Sequence, residues 1–106
     1  MKAKKHVASM ALLVGMSGWL FGGEALAADP RNGAKLYNMH CSSCHGPKGQ
    51  GTMPGAPDFG RDRTLFAADH VLVEVIEQGR GVMPAYRGLM STQDILDVIA
   101  HVRTFK

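Results

Sequence analysis

The chain of 106 residues has cysteine at only two positions, and both belong to the run Cys41-Ser42-Ser43-Cys44-His45. The pattern C-x-x-C-H is typical of c-type haem attachment. Two thiols one helical turn apart can each form a thioether with a vinyl group of one porphyrin, and the histidine that follows can bind the iron. A disulfide, half of a zinc site or a thioredoxin-like redox pair could use the same cysteines. Zinc needs further ligands and a thioredoxin-like pair lies in a βαβ unit, so the sequence favours one haem c held by Cys41 and Cys44, with His45 as an iron ligand.

The first 27 residues have the features of a secretory signal peptide. Three lysines occupy the extreme start, residues 7–21 are apolar or small, and Ala25-Leu26-Ala27 fits an A-x-A cleavage site. The apolar stretch is shorter than the roughly 20 residues that a membrane-spanning helix needs. We therefore expect cleavage after Ala27, or after Ala28, with no stable membrane insertion of the product.

Residues 28–106 then form a single domain, and its charge differs from that of the whole chain. Cleavage of the signal peptide takes away three lysines and Glu24, so the formal net charge falls from +3 to +1. This balance gives no support for nucleic-acid binding. A domain of this size has a marginal core of its own, so we expect a buried porphyrin to supply part of it. Export and covalent haem together predict a periplasmic location.

The domain shows helical periodicity without sustained β alternation, which predicts an all-α fold. Asp29 and Pro30 are a good N-cap and first helical residue, and the first helix is predicted from Pro30 to Ser43. Gly33 is interpreted as a point of close approach by another helix. Met39, in the same helix, is expected to pack against the core.

Two further helices are predicted after a long glycine- and proline-rich loop, residues 46–63, which is expected to wrap the haem edge. Asp69 should cap a helix from His70 to Gln78 that Gly79 ends. Ser91-Thr92-Gln93-Asp94 resembles a capping box and should open the last helix. Their inward-facing apolar residues are Leu72, Val75 and Ile76 in one helix and Ile95, Val98, Ile99 and Val102 in the other, with Phe105 at the end.

A second iron ligand is expected from a methionine, of which the domain has four: Met39, Met53, Met83 and Met90. Met90 takes a hydrophobic-staple position, whereas Met53 and Met83 both precede proline and are the serious candidates. Both lie within reach of a haem bound at His45, so chain length alone does not choose between them. The histidines at positions 40 and 70 are expected to be exposed or structural.

Several of these features occur together in one known family. They are Gly33-x-x-x-Tyr37, Cys41-x-x-Cys44-His45, Pro57 before Asp58-Phe59, Met83-Pro84 and the amphipathic C-terminal helix. The domain resembles the small class I bacterial cytochromes c of the c5, c6, c551 and c55x group over nearly all of residues 29–106.

The resemblance implies a small cytochrome c fold, in which three main helices and loops wrap one haem. It implies that Met83, in Gly81-Val82-Met83-Pro84, is the second iron ligand, and that the Pro57 carbonyl accepts a hydrogen bond from His45. The chain departs from the family at His101, where an aromatic residue of the last helix is usual. Residues 28–106 also contain no tryptophan, the residue that contacts a haem propionate in many relatives, and Arg61 or Arg63 is expected to replace it.

The sequence thus predicts a periplasmic one-electron carrier, because two filled axial positions leave no open site for a substrate. It shows no carboxylate pair or nucleophile–base pair that would indicate an enzyme. Redox proteins should dock transiently on a monomer, near basic residues in loops: Lys48, Arg80 and Arg87. The alternatives are a dedicated haem subunit of a larger periplasmic oxidoreductase, such as a nitrite reductase or a dehydrogenase, and a haem-based sensor.

Overall fold

The structure, a computed structural model, describes residues 26–106 without interruption and, before them, only residues 2, 3, 11 and 15. The predicted signal peptide therefore lies almost entirely outside the described residues. Four α-helices follow one another: α1 (Pro30–His40), α2 (Ser42–His45), α3 (Asp69–Gln78) and α4 (Thr92–Val102), with a 3-10 turn at Thr64–Phe66. Residues 26–106 contain isolated bridges but no β-strand. No helix in the described part of the chain is long and apolar enough to cross a membrane. The predicted all-α fold with three main helices is confirmed.

The first helix begins where the sequence predicts. The Asp29 side chain accepts a hydrogen bond of 2.9 Å from the Arg31 N–H, and Pro30 is the first helical residue. It ends at His40, however, and not at Ser43 as predicted. The Cys41 φ of −116° is more negative than the usual helical value of about −63°, although its ψ of −35° is helical, and α2 starts after it as a separate turn.

A side-chain hydrogen bond explains this break in the helix. The Ser42 hydroxyl donates to the Asn38 carbonyl at 2.9 Å, four residues earlier. Such a bond competes for the acceptor that the backbone N–H would use in a continuous helix, and it bends the chain. The His45 N–H then bonds to the Cys41 carbonyl at 2.9 Å, so the haem motif occupies its own short helical turn.

Helices α1 and α4 cross in direct backbone contact. A Cβ added at Gly33 would collide with the Asp97 carbonyl of α4, so the predicted close approach at Gly33 is confirmed. Beside this contact the buried Asp97 carboxylate accepts hydrogen bonds from the Asp29 N–H at 2.7 Å, the Asn32 amide at 2.9 Å and the Gln93 amide at 3.1 Å. Burial alone would raise the pKa of Asp97, but these donors outweigh it and hold the pKa below its ordinary value.

The second and last main helices match the predicted boundaries closely. Gly79, with φ +73°, ends α3, and Ser91 and Asp94 form a complete capping box at the start of α4. Asp69 is the first residue of α3 and does not cap it, which corrects the prediction. Its carboxylate instead accepts a hydrogen bond of 2.6 Å from Arg103. The same guanidinium donates to the carbonyls of Leu65 and Ala67, so Arg103 joins the end of α4 to the segment before α3.

The core lies between α1, α3 and α4. It is built from the predicted inward residues of the last helix together with aromatic side chains; its buried members are Tyr37, Leu72, Tyr86, Met90, Ile95, Val98, Ile99 and Val102. Tyr37 packs edge-to-face against both His101 and Phe105, at centroid distances of 5.4 and 5.2 Å. The histidine thus takes the aromatic's place at the helix crossing. Met39 is 71% exposed, so the expectation that it packs is wrong, because its position on α1 faces away from α4.

The crossing of α1 and α4 predicts the effect of a single added methyl group. Gly33→Ala should lower the free energy of unfolding by about 2–3 kcal/mol, because the new Cβ meets backbone that cannot move alone. Denaturant unfolding of the haem-loaded protein measures the loss. Lys35→Ala, at an exposed position on the same helix, is the control. Equal stability of the two variants would contradict the proposed contact.

The hydrogen bonds to Asp97 predict an acid-sensitive part of the stability. Because its folded pKa lies below the unfolded value of about 3.9, the carboxylate stabilises fully above that value, and the contribution is lost as the pH falls through the folded pKa. Asp97→Asn should lower the free energy of unfolding by about 1–3 kcal/mol at neutral pH. It should also make the free energy of unfolding depend less on pH in the acidic range. Unfolding free energies measured across acidic pH test this, with Glu74→Gln, at an exposed site on α3, expected to follow the unmodified chain.

Candidate functional site

A cavity of about 550 Å³ opens beside the short helix α2. Its wall includes all three motif residues, Cys41, Cys44 and His45, together with both candidate methionines, Met53 and Met83. Such a volume lies within the range of about 300–1,000 Å³ found for cofactor sites. Most of the remaining wall is apolar, with contributions from Leu65, Leu72, Val75, Ile76, Val98, Ile99 and Val102.

The two cysteines face this cavity as free, half-buried thiols. The turn of α2 places them on one side of the short helix. Burial raises the pKa of the Cys41 thiol to about 11, and the neighbouring Cys44 contributes in the same direction.

The imidazole of His45 is held by an aromatic neighbour. The Phe59 ring stacks on it with a centroid distance of 5.0 Å and an interplanar angle of 17°. Burial lowers the pKa of His45, which favours the neutral imidazole, the form that binds a metal. Phe59 belongs to the family pattern that the sequence shows, but its stacking role was not predicted. An aromatic residue two positions after Pro57 is the signal that could have indicated it.

Pro57 also lines the cavity, but the predicted hydrogen bond to its carbonyl is not formed in this structure. The Nδ1 atom of His45 is buried and has no hydrogen-bond partner. The plane of the His45 ring is instead set by stacking on Phe59. The Pro57 carbonyl lies against Gly51, where a Cβ would come within 2.8 Å of it, and it accepts no backbone hydrogen bond within residues 26–106. Gly51 in turn donates its N–H to the His45 carbonyl at 2.7 Å. The His45 Nδ1 and the Pro57 carbonyl, both without a hydrogen-bond partner in the described part of the chain, therefore lie on segments that Gly51 connects.

Met83 sits at the end of a tight turn that closes on itself. The Arg80 N–H donates to the Met83 carbonyl at 3.1 Å, and the Met83 N–H donates to the Arg80 carbonyl at 2.9 Å. Gly81 takes a positive φ of 58° inside this turn. Gly79 has a φ of +73°, and a Cβ there would lie 2.6 Å from the Met83 carbonyl, so both glycines are needed for this backbone path.

Met53 reaches the cavity from a different direction. Its N–H donates to the Cys44 carbonyl at 3.0 Å, which ties its backbone to the haem-motif segment. Its side chain is 40% exposed, whereas Met83 is half-buried. The structure thus brings both candidate methionines to one cavity. Met53 lies beside residues 41–45, here called the attachment segment, and Met83 comes from the turn after α3.

The predicted basic residues are distributed unevenly around the site. Arg80 lines the cavity, whereas Arg61 and Arg63, expected to contact a propionate, do not form part of its wall. Arg87 is paired with Glu77 at 3.1 Å, and Lys48 is exposed outside the wall. His40 is exposed at the cavity wall, while the other expected non-ligand histidine, His70, is exposed away from it.

The donor set fits a c-type haem. Two thiols, an imidazole and a thioether sulfur converge on one apolar cavity, and the only buried side-chain nitrogen or oxygen without a partner in the described residues is the His45 Nδ1. Thiols can form thioethers, while imidazole and methionine sulfur are the usual axial ligands of such a haem. Within the described residues no group of three or more histidine, cysteine or carboxylate side chains could hold a bare metal ion.

Comparison with known proteins gives one consistent result. Residues 28–102 match the family described as cytochrome C oxidase, cbb3-type, subunit III. The chain is 32% identical to cytochrome c6 from Nostoc sp., covering 92% of this chain and 91% of that protein. In structure it is similar to the KustC0563 c-type cytochrome, with a TM-score of 0.64 and 29% identity over 70% of this chain and 96% of the other. Cytochrome c6 from the diatom Phaeodactylum tricornutum gives a TM-score of 0.60 and 25% identity over 71% and 91%.

The helical fold, the attachment motif and these relatives define a c-type cytochrome. Within that class the chain belongs to the cytochrome c family and is one of its small class I members. It carries a single haem c, attached covalently, and it is an electron-transfer protein and not an enzyme.

Attachment through two thioethers predicts how the haem behaves when each bond is removed. Acid–acetone should leave the haem on the unmodified polypeptide. Cys41→Ala and Cys44→Ala should each retain it through one remaining thioether, with a pyridine haemochrome spectrum shifted to the red by the one unsaturated vinyl group. The double variant should release its haem into the solvent. Release from the unmodified chain would contradict the attachment.

Proposed function

We propose that the chain is a periplasmic one-electron carrier in which His45 and Met83 are the two axial ligands of the haem iron. The observation that supports this most is the turn from Arg80 to Met83, which presents Met83 to the cavity that His45 also lines. The two ligands come from separate segments, as binding on opposite faces of a porphyrin requires. Methionine with histidine is the ligand pair that raises the potential of cytochromes c.

The backbone contacts favour Met83 over Met53 as the methionine ligand. Met53 is hydrogen-bonded to the Cys44 carbonyl, so its backbone runs beside the segment that carries His45. The Met83 backbone instead makes its two hydrogen bonds with Arg80 and none with the segment that carries His45. Gly79 and Gly81 allow the chain to turn towards the cavity there, and Pro84 stiffens it directly afterwards.

When bound, the haem supplies a one-electron couple between ferrous and ferric iron. The chain's own residues determine the environment of that couple. His45 offers a neutral imidazole whose plane Phe59 fixes, and Met83 offers a soft thioether sulfur. Leu72 and Ile99, in the apolar wall, exclude water and lower the local dielectric constant, which disfavours the additional positive charge of the ferric state.

Redox partners would dock at the open side of the cavity. Val82, at the tip of the Met83 turn, lines the cavity and is 81% exposed, so it offers a small apolar contact. Arg80 is the basic residue best placed beside it. Arg87 has less influence, because its charge is paired with Glu77. A small contact of this kind suits transient docking of a monomer.

A dedicated haem subunit of a larger oxidoreductase is the second candidate, and the description of the matching family favours it. The similarity to cytochrome c6 argues against it, because the match covers nearly the whole of both chains and that protein is of similar length. Native purification from the source cells separates the two. A carrier elutes at the mass of a small monomer, whereas a subunit elutes with its complex. The periplasmic location rests on the lysine-rich, apolar leader and can be checked by fractionation.

The ligand assignment predicts opposite behaviour for two methionine variants. Met83→Ala should abolish the weak ferric sulfur-to-iron charge-transfer band, lower the potential by on the order of 100 mV and allow carbon monoxide to bind the ferrous protein. Met53→Ala is the matched control and should leave all three properties nearly unchanged. The reverse pattern would assign the iron ligand to Met53.

A further inference from the structure

The break between α1 and α2 leaves a backbone carbonyl without a helical partner. The carbonyls in the last turn of a helix need donors from elsewhere. The His40 carbonyl, at the end of α1, receives no backbone N–H within residues 26–106. It accepts a hydrogen bond of 2.8 Å from the Tyr86 hydroxyl instead, and the rings of His40 and Tyr86 meet edge-to-face at 5.8 Å.

Tyr86 belongs to the segment that carries Met83. It lies three residues after Met83, and its N–H donates to the Ile76 carbonyl of α3 at 3.0 Å. Its side chain is 8% exposed, lines the haem cavity and packs in the core with Leu72 and Ile99. Its hydroxyl therefore joins the segment from Arg80 to Tyr86, here called the methionine strap, to the residue directly before Cys41.

We infer that Tyr86 is a positioning residue, which couples the methionine strap to the haem-attachment segment and thereby determines how readily Met83 leaves the iron. This inference rests on the proposed ligation by His45 and Met83. A thioether at Cys41 would hold the haem next to His40, and the Tyr86 hydroxyl holds the strap to the carbonyl of the same residue. This part-buried hydrogen bond would therefore link the strap to the attached haem directly, in addition to the strap's backbone bond to α3.

Tyr86→Phe tests this path, because it keeps the ring and removes only the hydroxyl. The His40 carbonyl is then left unpaired, and the strap can move away from the attachment segment at less cost. Imidazole competes with methionine for ferric iron, so its affinity reports how easily Met83 leaves. We expect imidazole to bind the Tyr86→Phe holoprotein about tenfold more tightly, equivalent to about 1.4 kcal/mol. The charge-transfer band should also disappear at a lower temperature.

Tyr37→Phe is the matched control. Tyr37 is the other tyrosine of the chain, is 1% exposed, and donates its hydroxyl to the Gly46 carbonyl at 2.5 Å. This bond joins α1 to the residue after His45 and makes no connection to the strap. Tyr37→Phe should lower thermal stability by a similar amount while imidazole affinity stays within about twofold of the unmodified protein. If imidazole affinity is unchanged in Tyr86→Phe, or rises equally in both variants, the coupling is refuted.

Two further observations separate the possible failures. An unmodified holoprotein without the charge-transfer band would overturn the ligation by Met83 and the inference with it, whereas a normal band with unchanged imidazole affinity in Tyr86→Phe would overturn the inference alone. If Tyr86→Phe yields no holoprotein, 3-fluorotyrosine placed at position 86 keeps both ring and donor. At mildly acidic pH its stronger donor should weaken imidazole binding, and unchanged or tighter binding would refute the coupling.

Discussion

The contact between Gly33 and the backbone at Asp97 is the constraint on which the rest of the domain depends. Without a side chain at Gly33, α1 approaches α4 closely enough for the Asp97 carboxylate to accept two hydrogen bonds from the start of α1, one from the Asp29 N–H and one from the Asn32 amide. Tyr37 on α1 and Val98 on α4 then face one cavity. The helix crossing thus fixes the frame to which the haem-binding loops are attached.

Each of the two loops that carry a proposed iron ligand is closed by its own backbone hydrogen bonds. The attachment segment is held by bonds from Gly51, Thr52 and Met53 to the carbonyls of His45 and Cys44. The methionine strap is held by the reciprocal pair at Arg80 and Met83. The Tyr86 hydroxyl connects these two segments through the His40 carbonyl. For this reason we expect this hydrogen bond to have more influence than an isolated one on a helix surface.

The sequence predicts those parts of the molecule that local chemistry determines. The cysteine–histidine motif, the glycine at the helix crossing, the capping box at Ser91 and the inward stripe of α4 all follow from spacing and residue type, and the structure matches them. The errors concern residues whose neighbours come from distant segments. The sequence predicts Asp69 as an N-cap, but its carboxylate accepts a hydrogen bond from Arg103, which lies 34 positions away. The helix break at Cys41 depends on how Ser42 uses its hydroxyl, and the roles of Phe59 and Tyr86 depend on side chains that pattern does not reveal.

The helix crossing also joins the two ends of the domain, and this has a consequence for how the chain is made. Asn32 and Asp97 are 65 positions apart, and α4 is the last helix to be synthesised. A ribosome releases the cysteine–histidine segment before α4, so the helix crossing cannot form until the last helix has been made. The contact that frames the cavity is therefore among the last that the growing chain can make.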